Sequence, residues 1–541
     1  MNITDEDYRP ERPSRPRGGW KPIWVAAGLV LGVWAVAQLG AAGGSLLAEV
    51  RKITAVMSLI NNSYVEKPDL SKLTEGAIEG MLDRLDPHSV YIPAQEQKDI
   101  SERDLGEFEG IGISFVIQNE VLTVVAPIAG TPADRLGIRS GDRIVEIDGV
   151  STFGITNDEV FRKLRGVKGT SVKVTIVRDN VDEPLEFTVI RDTIPIRSVW
   201  TSFMLNDSTG YVLLNQFMAT TSNELNQTLR RLEAAGMTRL ILDLRNNQGG
   251  RLNEAVAVAD MFIPGGQVLA SRRGRRASED STYHSTSAGD HPMFALIVLI
   301  NGGSASASEI VAGAMQDLDR GLVVGQNSFG KGLVQLPYQL EGGAVIRLST
   351  AYWFTPSGRL VQRPYDKGRG EYYAVRYKDP DSTAGEPRQA FKSLGGRTVY
   401  ASSGITPDVA VEEQTVTGAT ARLINGQILF EYAHTLLGKY NLSPADDFGA
   451  FGRNFKLTDG DLDGVLELAR QRKIDVSRDL ILKDRDFILT QLKAEIAQQI
   501  WSNRDYYYFI RTETDSTVVK ALGLFPQAQA VAMVWTTPGK G

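Results

Sequence analysis

The sequence predicts a multidomain α/β protein, and three observations lead to that class. Its 541 residues exceed what one hydrophobic core normally holds, so several domains are expected. Its composition, with 42% hydrophobic and 23% charged residues, is typical of globular proteins. Apolar runs with strand spacing alternate with runs that have helix spacing. In chain order we expect a membrane segment, a helical region, a small β-rich domain, an α/β core and a helical extension.

Composition excludes several classes of function. A formal net charge of −6 argues against nucleic acid as a partner. The absence of cysteine excludes disulfides, thiolate zinc sites and cysteine nucleophiles. None of the four histidines forms an H-x-x-x-H pair, which argues against a zinc-protease site. We therefore predict neither a metal nor a cofactor.

The N-terminus predicts a membrane segment over residues 23–42, which contain no charged side chain. At ~1.5 Å per residue, this length matches a hydrocarbon core of ~30 Å. A basic flank favours a cytoplasmic, disordered tail over residues 1–22 and places the rest of the chain outside the cytoplasm. A cleaved signal peptide is the alternative, because Ala35-Val36-Ala37 resembles a cleavage site. The flanking basic residues are Arg12, Arg15, Arg17 and Lys21.

Residues 46–105 are predicted to be a helical region. Apolar residues recur at helical spacing over Leu46–Tyr64 and again over Leu73–Leu85, before Asp86-Pro87 ends the pattern. Packing within the chain or a dimer contact explains both helices.

Residues 106–192 are predicted to form a separate small domain. Short alternating runs are separated by Gly, Asp and Asn turns, with two short helices between them. The run Gly137–Ile144, with Gly110–Ile113 upstream, resembles a PDZ domain. In that resemblance, N–H groups of the upstream turn bind the terminal carboxylate of a peptide, which adds as a strand. The predicted tail-binding residues are Gly110, Ile111, Gly112, Ile113, Phe115, Val160 and Leu164.

Residues 195–412 are predicted to be an α/β core, because buried β-runs such as Ala295–Ile300 are each followed by a helix. Within this core, Ser271–Asp290 is polar and contains four arginines, and we interpret it as a solvated surface loop. Residues 415–541 are predicted to be a helical extension whose Asp505–Tyr508 cluster indicates a contact surface.

The segment Asn301–Ile310 predicts a catalytic serine. A buried strand ends there, glycines turn the chain, and a helix begins at Ser306. A capping box between Ser306 and Glu309 is enough to explain both residues. However, small neighbours leave room for a substrate, and the helix N-terminus can stabilise an oxyanion.

A serine nucleophile needs a base, and Lys331 is the candidate. It lies between Gly330 and Gly332 in an otherwise apolar region. A lysine in water has a pKa near ~10.4, and burial can lower this pKa into the working range of a general base. An exposed turn lysine is the alternative.

These motifs together resemble the carboxy-terminal processing peptidases, or tail-specific proteases. The resemblance rests on S-A-S-A-S-E, F-G-K-G-x-V-Q with the lysine twenty-five residues after Ser306, and the PDZ-like motifs. It also includes L-D-P-H-S over Leu85–Ser89, D-L-R-N-N followed by Gly249-Gly250, and G-I-T-P-D over Gly404–Asp408. The match covers about residues 46–412.

The resemblance implies residue roles. Ser306 is the nucleophile, Lys331 the base and Gln335 the residue that positions the lysine. The oxyanion donors are the backbone N–H of Ala307 and of the Gly249-Gly250 turn. Gln248 stands where the family commonly has proline, so both glycines remain candidates. His88 is assigned to a structural helix end, without a catalytic role.

The resemblance also implies a crotonase-like core, a dimer or higher assembly, and gating by the PDZ domain. The expected substrates are exported proteins or peptides with apolar C-termini, cleaved by a serine endopeptidase. Arg165 is a candidate for coupling tail binding to the protease, although a solvated helix-end arginine explains it equally. A catalytically silent PDZ scaffold of the cell envelope and an acyl-CoA enzyme are the alternative functions.

Overall fold

The computed structural model describes residues 46–535 except 119, 180, 287–290, 375–388 and 402. The predicted tail (1–22) and membrane segment (23–42) lie outside the described residues. Within the described part, no single helix is long and apolar enough to cross a membrane. One bent pair, Ser516–Leu522 with Phe525–Trp535, meets the criteria of length and composition. The chain divides into two compact units, one ending at Met81 and one beginning at Leu82.

The first unit contains helix α1 (residues 46–63) and most of helix α2 (Leu70–Leu82). Their apolar residues recur at helical spacing, as the sequence predicted, and α2 begins three residues earlier than expected. Most large apolar side chains of this unit are exposed, whereas Met57, Ile60 and Ile78 are half-buried. The exposed ones include Leu46, Leu47, Val50, Ile53, Val56, Leu59, Leu70, Leu73 and Met81.

The second unit begins with a short connecting segment. It consists of strand β1 (Val90–Ile92), helix α3 (Ala94–Leu105) and strand β2 (Glu107–Gly110). Gly106 ends α3 in the left-handed region, at φ 83°. Strand β1 joins the α/β core and β2 leads to the PDZ-like domain, so this segment connects the two.

The PDZ-like domain is a twisted antiparallel sheet in the order β3-β4-β5-β7-β8, with β6 paired to β5. Helix α5 begins with a capping box between Thr156 and Glu159, and Val160 and Leu164 on its inner face are buried in the domain core. The elements are β3 (Ile113–Gln118), β4 (Val121–Pro127), α4 (Pro132–Arg135), β5 (Arg143–Ile147), β6 (Val150–Ser151), α5 (Asn157–Leu164), β7 (Ser171–Val177), β8 (Leu185–Ile190) and β9 (Asp192–Pro195), which pairs with β2.

The α/β core holds two large sheets and the two-stranded sheet β19-β20. Its helices are α6 (Thr221–Ala234), α7 (Leu252–Asp260), α8 (Ala307–Asp317) and α9 (Arg369–Ala374). Its strands are β10 (Val199–Met204), β11 (Thr209–Leu214), β12 (Arg239–Asp243), β13 (Val268–Gly274), β14 (Ser281–His284), β15 (Ala295–Ile300), β16 (Leu322–Gly325), β17 (Leu333–Gln339), β18 (Val345–Phe354), β19 (Gln389–Lys392), β20 (Thr398–Ala401) and β21 (Val409–Ala410).

The main sheet has the order β10-β11-β12-β15-β16-β21 and is parallel from β11 onward. Both faces are covered, which explains why β15 is apolar throughout. Leu296 and Val298 pack against α6, α7 and α8, whereas Ile297 and Leu299 pack against the opposite layer. The carboxyl ends of β12 and β15 therefore meet at one edge, next to the N-terminus of α8.

The second sheet has the order β1-β18-β13-β14, with β17 also paired to β18. The prediction of a loop over Ser271–Asp290 is wrong for two segments of that range. Strands β13 and β14 form an antiparallel hairpin there, and β13 also pairs with β18. The alternation of polar and apolar residues in this hairpin is too short and too rich in arginine to have been recognised from sequence.

The C-terminal region is helical, as predicted: α10 (Gly418–Asn425), α11 (Ile428–Lys439), α12 (Phe448–Asn454), α13 (Asp459–Gln471), α14 (Arg478–Lys483), α15 (Arg485–Trp501), α16 (Arg504–Arg511), α17 (Ser516–Leu522) and α18 (Phe525–Ala532). Helices α10 to α16 share a hydrophobic core of their own.

Several contacts join this region to the α/β core. The predicted contact surface at Asp505–Tyr508 is confirmed, because Asp505 accepts from Thr201 Oγ1 at 2.6 Å and Tyr508 accepts from Trp200 Nε1 at 3.0 Å. Helices α17 and α18 cover the second face of the main sheet through Val518 and Phe525. The extension thus completes the hydrophobic core of the main sheet.

Candidate active site

Ser306 lies in a strained turn between β15 and α8. Its φ is 54° and its ψ −111°, a conformation that non-glycine residues rarely adopt. Such strain costs about 1–3 kcal/mol and persists only where surrounding contacts impose it. Here the backbone oxygen of Asn247 accepts from Ala305 N at 2.9 Å and from Ser308 Oγ at 2.8 Å. The turn after β12 therefore holds the serine turn in place.

Ala307 is the first residue of α8, so its N–H has no acceptor within the helix. The N-terminal end of the helix carries a partial positive charge next to Ser306. This arrangement suits a site where negative charge develops on a substrate oxygen.

The two candidate oxyanion glycines differ in what their N–H groups do. Gly249 N donates to Asn247 Oδ1 at 2.9 Å, whereas Gly250 N finds no acceptor among the described residues. Gly249 instead provides space: a Cβ there would lie 2.9 Å from Ser306 Cβ and 2.7 Å from Ala305 O. Of the pair, Gly250 is the one with an N–H still available.

Lys331 is half-buried beside the same turn, with its amine enclosed, so the exposed-turn alternative is wrong. Its backbone N donates to Glu309 Oε2 at 2.9 Å, and its backbone oxygen accepts from Trp353 Nε1 at 2.9 Å. Burial lowers the pKa of the Lys331 amine, and the positive charge of Arg347 lowers it further. The carboxylates of Glu309 and Asp86 oppose this shift.

Glu309 joins the serine turn to the lysine turn. Its fully buried carboxylate accepts from Ser306 N at 2.7 Å and Gly330 N at 2.6 Å, and also from Lys331 N and Ser328 Oγ. Burial raises the pKa of Glu309, although these four donors favour the ionised form. The predicted capping contact between Ser306 N and Glu309 is thus present, and it is one of the four hydrogen bonds that this carboxylate accepts. Sequence spacing could not show the other three, because they come from a turn about twenty residues later.

Gln335 lies on β17 and donates its side-chain amide to the backbone oxygen of His88. His88 is buried, and its ring contacts Tyr372 Oη at 2.7 Å. Burial, with the nearby charge of Lys331, lowers the pKa of His88 to about 3, so its ring is neutral at physiological pH. The assignment of His88 to a helix end is wrong, because helix α2 ends six residues earlier, at Leu82. Sequence reasoning missed the proximity of His88 to the lysine.

The structure brings six predicted residues to one cleft of about 860 Å³. They are Ser306, Ala307, Gly249, Gly250, Lys331 and Gln335. Within the described residues, no group of three or more histidine or acidic side chains is arranged to hold a metal ion.

The predicted tail-binding residues lie together in the PDZ-like domain. The N–H groups of Ile111 and Gly112 find no acceptor in the described part of the chain, which suits a carboxylate ligand. Gly112 is required at φ 84°, since a Cβ there would lie 2.3 Å from Thr131. Val160 and Leu164 are core residues, 0% and 5% exposed, so the pocket side of α5 is already packed.

Phe115, on the strand where the tail is expected to add, contacts Phe161 of α5 with ring centroids 5.4 Å apart. The guanidinium of Arg165 lies 5.0 Å from the Phe161 ring and 4.6 Å from that of Phe108. It also pairs with Glu102 of α3 at 3.3 Å. Arg165 is half-buried at the end of α5, and its contacts connect the PDZ-like domain to the segment that leads to the core.

A strained serine at a helix N-terminus and a half-buried lysine line one cleft, in a chain that also has a PDZ-like domain, and these features together are typical of a serine-type peptidase. Family models agree: "Peptidase family S41" matches residues 208–366 and "PDZ domain" matches 123–178. "Activating protease CtpB N-terminal domain" matches residues 35–96, and a "Family of unknown function (DUF8443)" matches 420–502.

Known proteins support the same family. The chain is 40% identical over 311 residues to a "Carboxy-terminal-processing protease" of Bartonella bacilliformis, covering 57% of this chain and 71% of that one. It is 32% identical to a "Probable CtpA-like serine protease" of Staphylococcus haemolyticus, covering 66% of this chain and 70% of that one. The chain is also similar to the structure of a photosystem II D1 C-terminal processing protease, with 24% identity, a TM-score of 0.35 and coverage of 66% of this chain and 92% of that one. The chain belongs to the carboxy-terminal processing proteases, as its motifs predicted.

Proposed function

We propose that this protein is a serine endopeptidase in which Ser306 is the nucleophile and Lys331 the general base. The observation that carries the proposal is a single cleft that joins a serine held at positive φ to a half-buried lysine with a lowered pKa. A lysine in this state is neutral for a larger fraction of the time and can accept the serine proton.

Catalysis would proceed by acyl transfer. Ser306 Oγ attacks the scissile carbonyl carbon while Lys331 Nζ accepts the hydroxyl proton of Ser306. The oxyanion that forms accepts hydrogen bonds from the N–H groups of Gly250 and Ala307. Lys331 then gives the proton to the leaving amine, and water hydrolyses the acyl-enzyme by the reverse sequence. Because Gln335 donates its amide nitrogen to His88, its Oε1 remains the natural acceptor for the Lys331 ammonium.

We further propose that substrates are exported proteins recruited by apolar C-terminal tails. The free N–H groups of Ile111 and Gly112 support carboxylate binding. The uncharged residues 23–42 and their basic flank support an anchored protein whose catalytic part lies outside the cytoplasm. The exposed apolar side chains of α1 support assembly into a homo-oligomer.

The test is cleavage of an unstructured reporter protein that ends in apolar residues, compared with the same reporter carrying a C-terminal amide. We expect the free-acid reporter to be cut several-fold faster, because the amide removes the charge that the PDZ-like turn would bind. If neither is cut, even with a peptide ligand for the PDZ-like domain present, the catalytically silent scaffold becomes the better description.

Arg165→Ala should abolish the stimulation of cleavage by a short peptide with an apolar C-terminus. Arg165 links the ring of Phe161, which contacts the tail-binding strand, to Glu102 on α3. Two residues further along α3, Asp104 pairs with Arg347 at 3.3 Å, beside Lys331. The measurement is the cleavage rate with and without peptide.

Arg162→Ala is the matched control for that experiment, since Arg162 is exposed on the same helix. Stimulation in Arg165→Ala equal to that of the parent protein would exclude the coupling role.

The activity should fall as pH decreases through the pKa of Lys331, because only the neutral amine is a base. Arg347→Gln removes a charge that lowers this pKa, so the acidic limb of kcat/KM should move to higher pH. Asp86→Asn removes a charge that raises it, so the limb should move to lower pH. Arg230→Gln, an exposed change on α6, serves as control. If the acidic limbs of the parent protein and of all three variants coincide, Lys331 is excluded as the titrating group.

A further inference from the structure

The charged side chains that line the active-site cleft are almost all positive. Among the described residues they comprise one acid, Asp104, and five bases. Asp104 is already paired with Arg347. The wall therefore carries unmatched positive charge even when Lys331 is neutral. The five bases are Arg103, Arg251, Arg272, Lys331 and Arg347.

Arg272 is the member of this group whose position is most informative. It lies on β13, in the hairpin that replaces the predicted surface loop, and is directly opposite Trp353 of β18. Trp353 Nε1 in turn donates to the backbone oxygen of Lys331. Arg272 thus lies on the strand next to Trp353, and Trp353 contacts the catalytic lysine.

The guanidinium of Arg272 has no partner within the described chain. Its Nε is buried and makes no hydrogen bond, and the side chain forms no ion pair with any described residue. Leaving a buried donor unpaired is costly. Three other arginines also have a buried, unpaired Nε, but each donates from another guanidinium nitrogen: Arg165 to Glu102, Arg359 to Asp317 and Arg363 to the backbone oxygen of Tyr372. The next residue, Arg273, points to the other side of the strand and stacks on Phe354 at 4.9 Å.

We propose that Arg272 is a specificity-determining residue that binds the carboxylate of an aspartate or glutamate near the scissile bond of the substrate. A planar guanidinium with unused donors matches a carboxylate in two parallel hydrogen bonds. The remaining positive charge of the cleft favours the same substrates. This inference rests on the proposed endopeptidase function and adds a substrate class to it.

The carboxylate is assigned to a side chain of the substrate. The terminal carboxylate is, in the proposed function, bound by the turn at Ile111 and Gly112 in the PDZ-like domain. A substrate would therefore present an apolar tail to one domain and an acidic residue to the other.

The experiment uses unstructured reporters with one apolar tail and a single cleavable segment. A glutamate is placed at each position within a few residues of the scissile bond, and each reporter is compared with its glutamine counterpart. We expect at least one position at which glutamate raises kcat/KM roughly tenfold or more, as charge-assisted hydrogen bonds do. Arg272→Gln should reduce that ratio toward one, and Arg273→Gln should leave it unchanged.

Charge reversal makes the test independent of stability. Arg272→Glu should transfer the preference to a reporter with lysine at the same position, which loss of folding could not produce. An unchanged glutamate preference in Arg272→Gln, or no preference in the parent protein, would overturn the proposal. The proposal would also be overturned if the effect of Arg272→Gln on kcat/KM depended on the free C-terminal carboxylate of the reporter and not on the internal glutamate. If the glutamine reporters are cut but the ratio of glutamate to glutamine kcat/KM is near one at every position, the endopeptidase function stands without this specificity.

Discussion

Ser306→Ala and Lys331→Ala should each reduce kcat/KM on an unstructured reporter by roughly a thousandfold or more. The serine variant removes the nucleophilic oxygen, and the lysine variant leaves that oxygen without a proton acceptor. Because the two residues act as one unit, the double variant should be no slower than either single variant. The measurement is the rate of appearance of new chain termini in the reporter.

Both variants should remain folded. Alanine tolerates the φ of 54° at position 306 about as poorly as serine does, and removing the buried amine of Lys331 removes a desolvated charge. The melting temperature should therefore not decrease. Ser222→Ala and Lys392→Ala, which lie elsewhere in the core, should retain the parent activity. Cleavage by Ser306→Ala at the parent rate would identify another nucleophile, and a strongly slower double variant would show that the pair does not act together.

Glu309→Gln should lower both stability and activity. Each oxygen of the carboxylate accepts two hydrogen bonds, one pair from Ser328 and Gly330 and the other from Ser306 and Lys331. A glutamine amide replaces one oxygen with a donor, which then faces two N–H or O–H groups. We expect the free energy of unfolding to fall by about 3–5 kcal/mol, because buried donors lose their acceptor.

The loss of activity should exceed what unfolding explains. A displacement of about 1 Å in a catalytic group costs roughly a hundredfold in rate, and Glu309 positions the backbone on both sides of the cleft. Denaturant unfolding gives the stability, and kcat/KM well below the transition gives the activity of the folded protein. The exposed Glu341→Gln provides the control and should change stability by less than about 0.5 kcal/mol. Parent-like activity in folded Glu309→Gln would contradict the positioning role.

Local patterns were enough to predict the order of the PDZ-like domain, the α/β core and the helical region. Local signals also delimit strand β5 (Arg143–Ile147) and helices α5 (Asn157–Leu164) and α15 (Arg485–Trp501). In each case turns, caps or charged residues mark the ends, and these signals act over a few residues. The family followed from the spacing of the serine and lysine motifs within the predicted order of domains.

Some features of the candidate site depend on contacts between distant segments. The side-chain oxygen of Asn247 accepts a hydrogen bond from Gly249 N, whereas Gly250 N has no acceptor among the described residues. This difference arises where the turn after β12 meets the serine turn at the edge of the sheet. Arg272 reaches the cleft only because its hairpin pairs with β18, whereas its sequence resembles a polar loop.

Short windows of residue types are enough to predict a serine at a helix N-terminus, a glycine-flanked lysine, a PDZ-like domain and an α/β core. Two other features are visible only in the folded chain. Glu309 joins the serine and lysine turns by hydrogen bonds, and α17 and α18 cover the second face of the main sheet. Hydrogen bonding and burial are satisfied by whichever groups the fold brings close, and sequence separation does not restrict that choice.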